Sequence, residues 1–285
     1  MMSGGLSAPG VAATDKSRQP TPENLPTTAQ PFVRIEELSK IYATRDGAVR
    51  ALDHVSIDVR SGEFISILGP SGCGKSTLLM IVGGLVGASS GQVVVAGQPV
   101  TRPLTNVGIV FQKAVLLDWR TSLGNVMLQA EARGLPKGAE EEARRLLTSV
   151  GLTGFENKYP HELSGGMQQR VSICRALIHD PPLLLMDEPF GALDALTRDQ
   201  MILDLQRLWN ERRKTVVFVT HSLTEAIFLS DRVVVMTPRP GQVDRVLDID
   251  LPRPRTLAVR KTEAFADYER TIMDMFLARG ILEEH

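Results

Sequence analysis

The stretch Gly69-Pro70-Ser71-Gly72-Cys73-Gly74-Lys75-Ser76-Thr77 decides how the rest of the chain is read. It fits G-x-x-x-x-G-K-[ST], the loop that wraps phosphates. The apolar run Phe64 to Leu68 precedes it and reads as a buried strand. Leu78 to Val82 follows and reads as a buried helix. Strand, glycine loop, helix is the context this motif requires. Glycines let the backbone curl so that N–H groups point inward, where a side chain would block the approach. The helix N-terminus adds partial positive charge. Lys75 adds a full charge between the outer phosphates, and Ser76 offers a hydroxyl to Mg²⁺. By itself the loop means a nucleoside triphosphate with Mg²⁺, as in kinases, GTPases and motors. The competing reading is a glycine turn before a core helix, which leaves Lys-Ser at this spacing unexplained.

The 285 residues, 43% of them hydrophobic, are enough for one large globular domain with room for a subdomain. A formal net charge of −1 gives no electrostatic case for nucleic acid. Cys73 and Cys174 make no disulfide framework, and a reducing, cytosolic compartment is expected. No apolar run approaches the roughly 20 residues of a membrane span. The N-terminus lacks the pattern of a signal peptide. Residues 1–31 are rich in Pro, Gly, Ser, Thr and Ala, and a disordered tail is expected there.

Order begins near Phe32. Val33 to Leu38 and Val55 to Val59 alternate like strands, with Tyr42 expected on the turn between them. An aromatic there stacks on an adenine ring or is a half-buried loop tyrosine. Gln92 to Val95 and Val107 to Phe111 are strand-like, the second ending at Gln112. Helical character runs from about 122 to 179 and includes the amphipathic segment Ala139 to Leu147. Leu183 to Met186 reads as a parallel strand buried on both faces. A helix is expected over Thr197 to Arg213, strands over Thr215 to Thr220 and Arg232 to Met236, and a helix over Leu223 to Leu229 between them. This alternation argues for a mostly parallel sheet. The Pro- and Arg-rich stretch 237–256 is expected to be irregular, and 257–280 to close the chain as a helix.

Two further stretches carry chemistry. Asp187-Glu188 ends an apolar strand, where an acid beside a phosphate loop helps hold Mg²⁺. Glu188, one residue on, points elsewhere and is placed to polarise an attacking water. Leu163-Ser164-Gly165-Gly166-Met167-Gln168-Gln169-Arg170 opens a second helix with a bare N-terminus, so a second anion site. A triphosphate already held by Lys75 needs no second site on the same chain. A two-fold dimer, each copy closing on the partner's nucleotide, is the economical arrangement. The plain alternative is an N-capped structural helix.

With these pieces in place the chain resembles the ABC-type ATPases, the nucleotide-binding subunits of ABC transporters. The matches stand in the family's order: GPSGCGKST at 69–77, Gln112, LSGGMQQR at 163–170, LLLMDEP at 183–189, ALD at 192–194 and His221 after a strand. The resemblance covers about 32 to 245. It implies an α/β P-loop NTPase fold, a RecA-like core sheet with an inserted α-helical subdomain (about 113–180) and an antiparallel β-subdomain. Residues 246–285 would form a C-terminal extension.

The resemblance also implies roles. Gly69 to Thr77 would hold the phosphates of ATP, through Pro70, Ser71, Gly72, Cys73, Gly74, Lys75 and Ser76. Tyr42 would stack on adenine. Ser76, Gln112 and Asp187 would serve Mg²⁺, with Gln112 also touching the attacking water and sensing a membrane partner. Ser164, Gly165 and Gly166 would contact the opposite subunit's ATP, and Asp194 would link the two sites. Glu188 would be the catalytic carboxylate, and His221 would contact the γ-phosphate. A bland alternative for His221 is a strand-end histidine making a local hydrogen bond.

Within the family, VGIVFQKAVLLDW at 107–119, MDEPFGALDALTR at 186–198 and THSLTEAIFLSDRVVVMTPRPG at 220–241 look most like nitrate/sulfonate/taurine-type importers. Relatives in that group also take up aromatic sulfonates, bicarbonate or pyrimidine vitamin precursors. That implies separate transmembrane permease subunits, a substrate-binding protein acting through them, and a peripheral place on the cytoplasmic face of the bacterial inner membrane. Lys113 to Trp119 is apolar and aromatic. It either receives a short helix from the permease or packs the helical subdomain. The rival classes are a soluble ABC ATPase of translation or DNA repair, and an exporter ATPase. Single-cassette length and the absence of a coiled-coil insertion weigh against the first, and the MDEPFGALD wording against the second.

Overall fold

The structure is a computed structural model that describes Met1 and residues 30–45, 47–134 and 137–281. The expected tail, 1–31, lies almost wholly outside the described residues. Strands β1 (Val33–Thr44), β2 (Gly47–Val59), β4 (Ser90–Val95) and β5 (Gln98–Pro99) form an antiparallel sheet in the order β2-β1-β4-β5. The second sheet runs β10-β9-β3-β8-β7-β6. Its members are β3 (Phe64–Leu68), β6 (Val107–Val110), β7 (Leu183–Asp187), β8 (Thr215–Thr220), β9 (Arg232–Met236) and β10 (Val243–Asp248). All its pairings are parallel except β9 with β10.

The residue types explain the layers. All five residues of β3 and all six of β8 are buried, as is β7 up to Met186. Continuous apolar runs of this kind belong to strands covered on both faces. Helix α1 (Lys75–Val82) covers one face. The other carries α4 (Gly165–Leu177), α5 (Ala195–Arg212) and α6 (Leu223–Leu229). Phe64 meets Trp209 edge-on at 5.8 Å and Phe218 at 5.8 Å, and Phe190 meets Phe218 at 5.7 Å. These separations suit attractive aromatic pairs. Between β6 and β7, α2 (Ser122–Arg133), α3 (Ala139–Ser149) and α4 pack on one another through Val126, Ala143, Leu146 and Val171. Glu140, Glu141 and Glu142 occupy the first turn of α3, where the helix dipole favours them. Among the described residues no helix is long and apolar enough to cross a membrane.

Two expectations are corrected. Tyr42 is not on a turn: β1 runs through it, and it pairs with Val49 of β2. The first strands are longer than their apolar alternation because bulges interrupt it. The stretch 237–256 is not irregular throughout. It contains β10, whose half-exposed edge pattern lacks the apolar signature of the inner strands. The expected boundary at 245 therefore falls inside a strand of the main sheet.

The segment after β10 is tied into the core. Phe265, Ile272 and Phe276 of α7 (Glu263–Ala278) are buried with the main cluster. Arg255, only 3% exposed, donates to the carbonyls of Ile227, Phe228, Ser230, Ile249 and Leu251. It caps the C-terminal end of α6 with positive charge, and burial pulls its guanidinium down to about 10. Gln206 of α5 holds the same residue by both its backbone groups. Replacing Arg255 by Met strands several buried carbonyls, so we expect a loss on the order of 3–5 kcal/mol by chemical denaturation. Arg255→Lys should recover only part of it, because an ammonium cannot fork to so many acceptors. Both thiols are buried, and burial raises Cys73 and pushes Cys174 up to about 12. Native protein should therefore resist a thiol reagent near pH 8, whereas denatured protein should titrate both cysteines.

Candidate active site

Parallel register brings the chemistry to one edge. Leu68 aligns with Thr220, and Asp187 with Val219. The residues just past the three strand ends are Gly69, Glu188 and His221. Val110 aligns with Met186, so Gln112 leaves the same edge from β6. The carboxyl edge of a parallel sheet is where such folds bind ligands.

The loop from Gly69 turns into α1 through Gly74, whose φ is +105°. A side chain there would also lie 2.7 Å from the Ala51 carbonyl, so the position excludes anything but glycine. The loop residues do not all contribute alike. Cys73 turns its side chain into the core, leaving only its backbone for a phosphate. Lys75 is 4% exposed, and its Nζ donates to the carbonyls of Gly69 at 2.9 Å and Pro70 at 3.0 Å. Ser76 Oγ donates to Asp187 Oδ1 at 2.8 Å. Burial holds the Asp187 carboxyl above its ordinary range, opposed by the Ser76 hydrogen bond.

Glu188 is the hub. Lys75 Nζ lies 3.6 Å from its carboxylate, His221 Nδ1 lies 3.0 Å from it, and Gln112 Nε2 lies 3.5 Å from it. Its φ is +42°, uncommon for a residue with a side chain. The turn persists because Glu188 N donates to Val219 O at 2.9 Å and Gly191 N donates back to Glu188 O at 3.1 Å. Backbone strain of this kind costs about 1–3 kcal/mol and gathers at working sites.

A cleft of about 480 Å³ joins Lys75 and Glu188 to the antiparallel sheet. Tyr42, Thr44 and Val49 of the antiparallel sheet line it together with Ser71, Gly72, Gly74 to Thr77 and Glu188. Tyr42 thus shares a cleft with the phosphate loop, its hydroxyl 3.5 Å from Thr77 Oγ1 and Lys40 4.9 Å over its ring.

Ser164, Gly165, Gly166 and Asp194 do not line that cleft. Ser164 and Asp194 are exposed, and each caps a helix of its own chain. Ser164 Oγ accepts from Met167 N at 3.3 Å, and Asp194 Oδ1 from Thr197 N at 3.0 Å. Gly165 instead borders a groove with Gln112, Lys113 and Leu193.

Sequence reasoning missed three residues here. Glu225, buried in the first turn of α6, accepts from Thr220 Oγ1 at 2.6 Å, and Ser222 N donates to that same hydroxyl at 3.0 Å. Its carboxylate braces the turn that carries His221, and burial raises its pKa. Arg198 lies 3.6 Å from Glu225 and donates to Leu193 O at 3.0 Å. The spacing Ser222-x-x-Glu225 is a legible helix start, although the carboxylate serves Thr220 rather than the cap. Arg239 also lines the cleft; it lies in the stretch 220–241, where the resemblance gives it no role.

The comparisons with known proteins agree with this geometry. The ABC transporter family pattern matches residues 52–191. An uncharacterized ABC transporter ATP-binding protein of Methanocaldococcus jannaschii is 46% identical over 244 residues, 85% of this chain and 90% of the relative. An aliphatic sulfonates import ATP-binding protein of Bacillus cereus is 38% identical over 251 residues, 88% of this chain and 98% of that one. Among solved structures, a bacterial ABC transporter cassette determined as a dimer in a post-hydrolysis state with ADP and Pi is similar at TM-score 0.68 and 33% identity, covering 77% of this chain and 100% of that one. cbiO1 of Clostridium perfringens, part of the ABC transporter complex cbiONQ, reaches TM-score 0.70 at 26% identity over 87% of this chain and 96% of that one. A phosphate loop, a strand-end acid pair and a histidine gathered on one sheet edge, with relatives matched over nearly their whole length, place this chain in the ABC transporter family, among its ATP-binding ATPases.

Proposed function

We propose that the chain energises an importer for a small anionic or organosulfur or nitrogen solute, of the nitrate/sulfonate/taurine class, through separate membrane subunits. The observation that carries the ATPase half is the convergence of Lys75, His221 and Gln112 on the Glu188 carboxylate. Similarity to an aliphatic sulfonates import protein over 98% of its length supports the solute class. The solute itself is selected by the other subunits.

The chemistry follows from the residues. Lys75 exchanges its carbonyl partners for phosphate oxygens, which accept more strongly. Glu188 accepts a proton from the attacking water as the water adds in line to the γ-phosphorus and the bond to the bridging oxygen breaks. His221 and the loop N–H groups meet the charge that develops on the transferred group. Mg²⁺ fits the site: Ser76 at the start of α1 and Asp187 at the end of β7 present oxygen atoms 2.8 Å apart, and Gln112, beside Glu188, would add an amide oxygen. When bound it would neutralise phosphate charge. Ser164 and Asp194 are exposed and, like the buried Gly166, do not line the cleft of their own chain, and a second copy would bring this helix N-terminus to the nucleotide.

For docking to a permease, Val115 at 59% and Trp119 at 74% exposure leave an apolar surface beside Gln112, while Leu116 packs the helical elements. Such a surface suits a short amphipathic helix on the cytoplasmic side of an inner-membrane permease. A soluble role in translation or repair has no membrane subunit to seat there.

Glu188→Gln should retain ATP binding, lose at least about 100-fold in turnover and accumulate as an ATP-bound dimer by light scattering. Undiminished turnover would sink the assignment. Trp119→Ala should reduce co-purification with membrane subunits from detergent extracts of the native host while nucleotide affinity of the isolated chain stays put. Equal recovery of the membrane subunits would remove the docking surface from the proposal.

A further inference from the structure

The turn between β9 and β10 reaches back to the nucleotide cleft. It is held rigidly from two sides. Gly241 N donates to Ala51 O at 3.0 Å, Asp53 N donates to Gly241 O at 3.0 Å, and Gln242 Nε2 donates to Asp53 Oδ2 at 2.8 Å. Within the turn, Thr237 N donates to Gln242 O and Gln242 N to Thr237 Oγ1, both at 3.0 Å. Gly241 lies so close to the phosphate loop that a Cβ there would sit 2.0 Å from the Cys73 carbonyl. Only glycine lets the two backbones approach in this way.

That clamp delivers Arg239 to the rim of the loop. Its Nε donates to Gly72 O at 3.1 Å, and the side chain lines the cleft with Tyr42 and Lys75. Among the described residues its two Nη atoms have no hydrogen-bond or ion-pair partner. The described cleft lining contains two cations, Lys75 and Arg239, and one anion, Glu188. Lys75 is already shared with Glu188, so the lining without Arg239 would be close to neutral. A nucleotide diphosphate or triphosphate brings several negative charges.

We propose that Arg239 is a nucleotide-binding residue: its guanidinium, anchored on Gly72, presents its Nη edge to phosphate oxygens of the nucleotide in the loop. The planar fork suits phosphate, and such charge-assisted bonds are stronger than neutral ones. Phosphate is the favoured moiety because the anchor is the phosphate loop itself, whereas the aromatic that fits a base, Tyr42, stands on β1. The inference rests on the reading of this cleft as the ATP site.

The test measures equilibrium binding of ATP, ADP and adenosine to the full chain, wild type and variants, by calorimetry, with thermal melts of nucleotide-free protein alongside. Arg239→Ala should weaken ATP and ADP by about 10-fold and leave adenosine unchanged, which matches the loss of a charged hydrogen bond. Arg239→Lys should recover part of the loss, and the nucleotide-free melt should stay within about 2 °C of wild type. Affinities within twofold for ATP and ADP would overturn the proposal. So would an equal loss for adenosine, which would assign the side chain to the base or ribose. So would a loss that Arg239→Lys leaves unrepaired and a lowered nucleotide-free melt accompanies, which would mean Arg239 only braces the turn. Loss of ATP binding in Lys75→Ala, with Arg239→Ala unaffected, would leave the ATP site standing and remove only Arg239. Failure of the wild type to bind ATP would strike the underlying reading instead.

Discussion

Parallel hydrogen bonding that ends β3, β7 and β8 at one level is the constraint on which the site depends. Leu68 opposite Thr220 and Asp187 opposite Val219 bring a lysine and a histidine to one carboxylate, at 3.6 and 3.0 Å from Glu188. None of these side chains is near another in sequence. A slip of one residue in β7 would shift Glu188 by about 3.3 Å and turn it to the other face. A slip would also break the packing of particular side chains across these strands, Phe64 against Trp209 and Phe218 and Phe190 against Phe218. The core thus sets the geometry of the chemistry, and the left-handed backbone of Glu188 is held by hydrogen bonds from the same ladder.

A second line of contacts runs away from the sheet edge. Leu193, beside the outward-facing Asp194, gives its carbonyl to Arg198. Arg198 faces Glu225, Glu225 accepts from Thr220, and Thr220 adjoins His221. The exposed loop and the catalytic-edge histidine therefore lean on one buried carboxylate. Burial of that carboxylate makes each of its partners expensive to remove, because a buried charge left alone is far worse than a paired one. On the dimer reading, a push on the loop at Asp194 would reach His221 through three side chains, those of Arg198, Glu225 and Thr220.

Much of this was legible beforehand, and the physical reasons differ for what was not. Continuous apolar runs marked β3, β7 and β8 because strands buried on both faces have no other composition. The glycine-lysine loop and the acid pair were legible because their chemistry tolerates few residue types. Tyr42 was put on a turn because β1 and β2 bulge, and bulges break the alternation that marks a strand. β10 was hidden because an edge strand with one neighbour is only half buried, and its alternation is diluted by Asp244, Arg245 and Asp248. Glu225 and Arg239 matter through tertiary contacts alone. The first is one carboxylate among many until Thr220 lies against it, and the second is one arginine among several until Gly241 meets Cys73.

The charges at the sheet edge also bear on how the site changes state. Lys75 rests on two neutral carbonyls and one carboxylate. A carbonyl is a weak acceptor for an ammonium beside a phosphate oxygen, so an arriving nucleotide draws Lys75 away from Gly69 and Pro70. The same phosphates repel Glu188, which must then lean on His221 and Gln112. Gln112 opens the segment that carries the exposed Trp119, and His221 closes the path from Asp194. On the proposed mechanism, Glu188 is therefore the group whose displacement would be felt on both outward surfaces. On that mechanism, coupling between nucleotide and partners would need no further device than the relocation of one ammonium by a stronger acceptor.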